Sequence, residues 1–245
     1  MILRIEQTTA NGSNNFEISQ EGQLLFRAST PFYKPAAPIG GDFFRKLTLN
    51  DANGDELLYT NYDTVENAIA SSKPLSWIYQ YSKQVRRYTI LNNMDQVIGG
   101  FYFEQVAVAD TKYVLVFIDR IILCYRRKLG KKEVVSFYEN DRQIGQITKP
   151  NAVYNNLDIY YAHFLDGTLT PAIISLFTIY YDFLNHNHSG EIMVGWRKNV
   201  SYNYDKNSKM YNKDFIRDNF GAEEDERLEQ FIAGSYKSGG AGAPA

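Results

Sequence analysis

The stretch TPAIISLFTIYYDFL, residues 170–184, decides the fold. Thr170 is a favourable N-cap, Pro171 suits the first helical position, and Asn185 and Gly190 mark the end of a helix. Apolar side chains surround nearly the whole helical cylinder, so this helix must be buried in protein or in lipid. At about 1.5 Å per residue it spans roughly 22 Å, which is short for a bilayer core of roughly 30 Å. The pattern therefore predicts a helix enclosed by protein.

A narrow polar stripe interrupts this apolar surface. Ser175, Thr178 and Asp182 recur at helical spacing, and we expect the stripe to face an open mouth of the surrounding structure. Ser175, Asp182 and His186 are also the residues from which a hydrolase site could be built. They are neighbours along one helix, however, whereas a catalytic triad needs its nucleophile in a sharp, exposed turn.

Before the helix, a strand–turn–strand unit is repeated along the chain. Each copy has a β-type run, a polar turn and a second apolar run, and Gly99 and Gly145 hold matching places in two copies. The segment 112–127 adds two more predicted strands, and 155–164 a last one. A repeated hairpin is stronger evidence for an antiparallel sheet than any single hairpin. The four copies are residues 16–28, 46–60, 88–103 and 134–148.

Composition and charge exclude several classes of protein. A net charge of −2 argues against a nucleic-acid binder that works through bulk charge. The single cysteine, Cys124, excludes an intramolecular disulfide framework, and its apolar neighbours predict a buried, inert thiol. We find no secretory signal and no apolar run long enough for a transmembrane helix. These features favour a cytoplasmic protein, free or associated with a membrane surface.

The repeated units and the single apolar helix resemble a known superfamily. It comprises the tubby C-terminal domain, the LURP-one-related proteins and the phospholipid scramblases. The resemblance is carried by residues 90–101, 137–147 and the helix 170–184, and it covers roughly residues 10–196. It implies a mostly β fold, in which about twelve antiparallel strands close into a barrel around a central hydrophobic helix. The expected organisation is a tubby-like barrel over 1–198, a C-terminal helical extension over 199–236 and a flexible tail over 237–245.

Two features depart from this family plan. A long extension follows the helix, and there is no clear equivalent of the calcium-binding segment of scramblases. The nearest candidate, Asp51, Asn53 and Asp55, has Gly54 too early for an EF-type loop, so a plain hairpin turn is the better interpretation. The segment HNHSGE, with His186, His188 and Glu191, could bind a metal or be a polar loop after the helix. We predict no metal site and no cofactor.

A cluster of basic residues surrounds a predicted turn at Gly130 and is the candidate ligand site. It could bind phospholipid headgroups or an acidic protein surface, or it could be a solvated turn. Basic groups of tubby domains bind phosphoinositides, so the resemblance implies an anionic lipid ligand. The candidate residues are Arg126, Arg127, Lys128, Lys131 and Lys132, with Arg86 and Arg87 expected nearby.

The C-terminal extension carries an apolar face that must be covered. Its acidic residues, from Asp214 to Glu226, oppose the basic cluster in sign. Docking could take place on the chain's own barrel or on a partner, identical or not. The candidate partner-binding residues are Phe215, Phe220, Leu228, Phe231 and Ile232.

Three functions remain open from the sequence. The leading hypothesis is a non-enzymatic, tubby-like binding module that recognises an anionic membrane lipid headgroup or a protein partner. The alternatives are a structural protein that assembles through its C-terminal helices and a hydrolase with an unrecognised active site.

Overall fold

The structure is a computed structural model. It describes residues 1–10, 13–30, 46–62, 83–107, 110–155, 157–186, 196–198 and 210–238.

Twelve antiparallel strands form a closed barrel, in the order β1-β13-β11-β10-β9-β8-β7-β6-β5-β4-β3-β2. The predicted mostly β fold with an antiparallel closed barrel and C-terminal helices is therefore confirmed. The strands are β1 (Ile2–Thr9), β2 (Asn14–Gln20), β3 (Gln23–Thr30), β4 (Thr48–Asp51), β5 (Glu56–Tyr62), β6 (Lys83–Asn92), β7 (Val97–Ala107), β8 (Asp110–Phe117), β9 (Arg120–Leu129), β10 (Lys132–Glu139), β11 (Arg142–Pro150) and β13 (Ile159–Phe164). Two short strands, β12 (Ala152–Tyr154) and β14 (Trp196–Lys198), pair with each other outside the barrel.

The strand predicted over 155–164 is shorter than expected. Asn155 has a φ of 52°, in the left-handed region that asparagine tolerates better than most residues. This turn ends β12, and barrel pairing resumes only at Ile159.

The four repeated hairpins share a β-bulge close to their turns. The pairing register shifts between Ile18 and Ser19, Leu49 and Asn50, Ile90 and Leu91, and Phe137 and Tyr138. A bulge bends a strand and increases its twist, which closure of a barrel requires. The repeat in the sequence is thus a repeat of bulged hairpins.

Helix α1 (Pro171–Asn185) begins as predicted, with Thr170 as its N-cap. Its residues from Ile173 to Phe183 are all buried. The prediction that the polar stripe faces an open mouth is wrong, because Ser175 and Thr178 are fully buried and donate hydrogen bonds to helix carbonyl oxygens one turn earlier. Within the described ranges, no helix combines the length and apolar character that a membrane crossing needs.

The aromatic side chains of α1 pack against strands on several sides. Phe177 contacts the rings of Phe101, Tyr113 and Phe137 on β7, β8 and β10 at centroid distances of 5.6, 6.3 and 4.9 Å. Tyr180 stacks on Phe101 at 4.9 Å. The same helix also lies against β1, β3 and β4. The helix and the inward-facing strand residues form one hydrophobic cluster.

Two further helices, α2 (Phe215–Phe220) and α3 (Ala222–Ser238), pack on the barrel through a second, separate cluster. Its buried members are Tyr161 of β13 with Phe215, Ile216, Leu228 and Ile232.

The barrel has two unlike ends. Five short turns, at 21–22, 52–55, 93–96, 118–119 and 140–141, join consecutive strands at one end, which we call the turn end. Because the strands alternate in direction, the turn at 130–131 lies at the opposite end, the loop end. Helix α1 starts at the turn end, after β13, and finishes at the loop end.

We predict that Phe177→Ala lowers the free energy of unfolding by about 3–5 kcal/mol, because it leaves a cavity among three aromatic rings. Met94→Ala, at a side chain that is 74% exposed, is the control and should change it by less than about 0.5 kcal/mol. Urea unfolding followed by circular dichroism measures both. A Phe177→Ala protein as stable as the control would contradict the packing described.

Candidate functional site

A buried carboxylate, Glu133, organises the loop end. Arg126 donates to it at 2.7 Å, and Lys128 lies 3.9 Å away. Arg126 also donates to Asn185 of α1 at 2.9 Å. Two of the predicted anion-binding cations therefore already face an anion of their own chain.

The C-terminal end of α1 is tied to the same carboxylate. The hydroxyl of Tyr181 donates to Glu133, and the Nε2 atom of His186 lies 2.8 Å from it. Burial alone would raise the pKa of Glu133, but hydrogen bonds and charge from His186 and Arg126 outweigh it and hold the pKa well below its ordinary value. Burial and the charge of Lys149 lower the pKa of His186. Because an ionised carboxylate can only accept, His186 carries a proton on Nε2 and donates it to Glu133.

A second buried polar group lies nearby. Lys149 pairs with Asp158 at 2.7 Å, and the hydroxyl of Tyr160 donates to Asp182 at 2.6 Å. Burial, and then the negative charge of Asp158, raise the pKa of Asp182 well above its ordinary value. This direction is expected where two carboxyl groups share a buried site, because each disfavours the charge of the other.

The candidate hydrolase residues do not form a catalytic triad. Ser175 donates to the carbonyl of Pro171 at 2.7 Å, while Asp182 and His186 face Tyr160 and Glu133. Burial raises the pKa of the Cys124 thiol well above its ordinary value, so this thiol stays protonated. The described part of the chain holds no cluster of three metal-ligating side chains. His188 and Glu191 lie outside it.

The remaining basic candidates are spread over two faces. Arg127 lies over the ring of Tyr211 at 5.1 Å, and Lys132 pairs with Glu229 of α3. Lys131 is exposed. Arg87 lies over the ring of Tyr102 and belongs to β6, three strands away from β9, and the side chain of Arg86 is outside the described residues. Anion binding by this set stays a prediction, and an external anion would have to compete with Glu133 and Glu229.

The predicted partner-binding residues are placed against the chain's own barrel. Leu228 and Ile232 are buried with Phe215, while the rings of Phe231 and Phe220 lie 5.0 and 5.1 Å from Tyr161 and His163. That these residues bind a partner stays a prediction, which now requires the helices to leave this position.

A second polar contact, besides the pair of Lys132 with Glu229, joins α3 to the barrel. Glu224 lies 2.7 Å from the Nε2 atom of His163 and accepts two hydrogen bonds from Arg227. Burial raises the pKa of Glu224, but the hydrogen bonds from His163 and Arg227 outweigh it and lower the pKa to about 2.

A groove of about 540 Å³ lies over β6, β7 and β8. Its lining includes Gly99 and Gly100, which offer no side chains. A Cβ atom on Gly99 would meet the carbonyl oxygen of Val116 at 2.2 Å, and one on Gly100 would meet that of Tyr88 at 2.9 Å. Glycine in a strand often marks a place where another backbone approaches closely. Here the glycines permit close strand packing and leave the groove open.

Four exposed aliphatic side chains lie on the two hairpins that border the turn end of this groove. They are the large apolar side chains that are exposed among the described residues, and all four belong to the neighbouring β6–β7 and β8–β9 hairpins. Val97 and Ile118 line the groove itself. The four, which we call the aliphatic patch, are Met94, Val97, Ile118 and Ile121, at 74, 67, 68 and 61% exposure.

Ile118 is also strained. Its φ is 54°, a conformation that a β-branched residue adopts only at a cost. Its backbone N–H donates to the carbonyl of Ile98 at 3.0 Å, which ties the turn to the edge of the groove. The exposed side chain of Ile118 gains little from burial in the fold, and strained residues of this kind are often found at functional sites.

Sequence reasoning missed the groove and the patch. A signal was present, because Met94 and Ile118 occupy turn positions where polar residues or glycine are usual. Pairing of β7 with β8, which brings the two turns together, could not be read from either turn alone.

We predict that Glu133→Gln lowers the free energy of unfolding by about 3 kcal/mol, because it leaves Arg126 without its buried counter-charge. Glu17→Gln, which breaks an exposed pair with Arg27, is the control and should cost at most about 1 kcal/mol. Chemical denaturation at pH 7 compares them. Equal losses would show that the buried network is not a special source of stability.

We predict that the docking of α3 weakens in acid. A carboxylate with a lowered folded-state pKa contributes stability above its unfolded value of 4.5, and this contribution is lost as the pH falls toward about 2. Hydrogen exchange of the α3 amides should therefore be faster, relative to the intrinsic rate, at pH 3 than at pH 5. Glu224→Gln should remove part of this difference, and an unchanged pH dependence in the variant would contradict the assignment.

Comparison with known proteins gives no indication of function, so function has to be inferred from the geometry of the structure. No protein-family model, curated protein or solved structure matches this chain.

Proposed function

We propose that the protein is a non-enzymatic binding module, with a tubby-like barrel, that recognises another protein through the groove and the aliphatic patch. The observation that carries this proposal is that, among the residues the structure describes, the exposed large aliphatic side chains all lie on two adjacent hairpins beside one groove. Scattered exposed apolar residues are ordinary, whereas a contiguous patch with polar surroundings is typical of interaction sites.

The tubby-like part of the proposal places helix α1 inside the barrel. It is supported by contacts of α1 with β1, β3, β4, β7, β8 and β10, which lie around the barrel rather than on one side of it. A twelve-stranded barrel is also wider than the roughly eight-stranded barrels that side chains alone can fill. A rigid barrel with a filled interior holds its turns in fixed positions, which suits a recognition surface.

Strain at Ile118 supports a role for the patch in binding. A left-handed conformation costs an ordinary residue about 1–2 kcal/mol, and burying an isoleucine against a partner returns about 1.5–3 kcal/mol. Burial against a partner would therefore offset the cost of this conformation, which supports the proposal.

The two rival functions have less support. Binding of anionic lipid would use the basic residues of 126–132, but Arg126 and Lys132 pair with Glu133 and Glu229. Assembly through the C-terminal helices would use Leu228 and Ile232, which are buried on the chain's own barrel. Either function would first require these contacts to break.

The test is a pair of variants measured for both stability and binding. Ile118→Asn should raise the free energy of unfolding by about 1 kcal/mol, because asparagine tolerates the left-handed region. The same change should weaken binding about 10- to 100-fold, because an anchoring side chain is lost. Lys131→Ser, at an exposed position of the loop end, is the control and should change neither quantity much.

Binding is measured against a displayed library of random twelve-residue peptides, selected on the immobilised wild-type protein. Selected peptides are then titrated against the wild-type and variant proteins by fluorescence anisotropy. If the selected peptides bind Ile118→Asn as tightly as the wild type, or if no peptides are enriched, the proposed function is wrong. Sedimentation of the wild type with phosphatidylserine vesicles, lost at high salt, would favour lipid binding instead.

A further inference from the structure

Negative charge is concentrated in the turns of the turn end. Every one of the five turns of the turn end contains an aspartate or a glutamate, and none contains a lysine or an arginine. The acidic residues are Glu21, Asp55, Asp95, Asp119 and Asp141, all exposed. Two arginines of the described residues lie near this end. Arg120 donates to both carboxylate oxygens of Glu139 at 2.6 Å, and Arg142 is exposed beside Asp141.

Two of these acidic residues flank the aliphatic patch. Asp119 lines the groove and follows Ile118 directly. Asp95 follows Met94, and it accepts a hydrogen bond from the hydroxyl of Tyr59, which fixes its position. Met94 and Ile118 of the aliphatic patch therefore each have a negatively charged neighbour.

The groove itself has a direction. Asp119 lies at the turn end, while Arg87, whose guanidinium lies over the ring of Tyr102, is at the other. Val97, at the level of Asp119, and Tyr102 are five residues apart on β7, or roughly 16 Å. An extended segment of about five residues would span this distance.

We infer that the segment docking in the groove is extended, presents aliphatic side chains to the patch, and carries lysine or arginine beside Asp119 and Asp95. This inference rests on the proposed function and names the partner chemistry of the same site. Complementary charge at the rim of an apolar contact speeds association and excludes wrong partners, while the apolar anchors supply most of the affinity. An acidic segment would meet like charge at both turns next to its anchors.

The experiment uses the same peptide library on the full-length protein. Peptides whose binding is lost in Ile118→Asn define the patch-dependent set, and their sequences are compared with the unselected library. We expect an excess of lysine and arginine together with aliphatic residues. Raising the salt concentration from 50 to 500 mM should weaken the binding of these peptides about tenfold, because exposed charges are screened.

Two charge variants locate the effect. Asp119→Lys should weaken binding of the basic peptides at least about tenfold, since attraction becomes repulsion beside the anchor. Glu21→Lys makes the same charge change at the β2–β3 turn, which the strand order places across the barrel from β7, and should change binding less than about twofold. Thermal unfolding of each variant confirms that it folds.

The outcomes separate the two claims. Patch-dependent peptides that are neutral or acidic, or that ignore both salt and Asp119→Lys, overturn the inferred partner chemistry and leave the binding function standing. Equal loss in Glu21→Lys also overturns it, because binding then follows overall charge. Absence of patch-dependent peptides overturns the proposed function, and this inference falls with it.

Discussion

The apolar surface of helix α1 is the constraint on which the rest of the structure depends. Residues Ile173 to Phe183 are buried on all sides, so structure has to surround the helix rather than cover one face of it. A barrel does this with the fewest exposed backbone groups, because closure leaves no sheet edge unpaired. On the tubby-like interpretation proposed above, the barrel buries the apolar surface of the helix, and the helix fills the interior of the barrel.

The polar and charged side chains are arranged differently at the two ends of the barrel. At the loop end, the charges of Arg126, Glu133 and Lys149 are turned inward and matched within the chain. Such networks fix geometry, since each polar group is expensive to leave without a partner. At the turn end, the acidic and aliphatic side chains point to solvent, and nothing in the described chain covers them. Surfaces that carry function are commonly built in this way, on turns that a rigid scaffold holds in place.

Local signals predicted the elements well. Thr170 and Pro171 located the start of α1, and the repeated hairpins located most strands. The partner of Arg126 was not predictable from the sequence. It is Glu133 on the next strand, in a segment whose charged residues indicate a solvent-exposed turn. Ser175 and Thr178 were misjudged for a related reason. Their hydroxyls donate hydrogen bonds to carbonyl oxygens of the helix itself, so a polar stripe can be buried away from water. The groove depends on pairing of β7 with β8 and on the absence of side chains at Gly99 and Gly100, neither of which leaves a periodic pattern.

Closure of the barrel sets the order in which the molecule can form. Ile2 of β1 pairs with His163 of β13, so the ring is completed by strands from opposite ends of the barrel sequence. Helix α1 follows β13 and is the element that packs with the inward-facing strand residues. During synthesis, the hairpins therefore emerge with open edges and uncovered apolar faces well before the helix that packs against them. Contacts of such long sequence separation make folding slow, and exposed edges favour pairing between chains in the meantime.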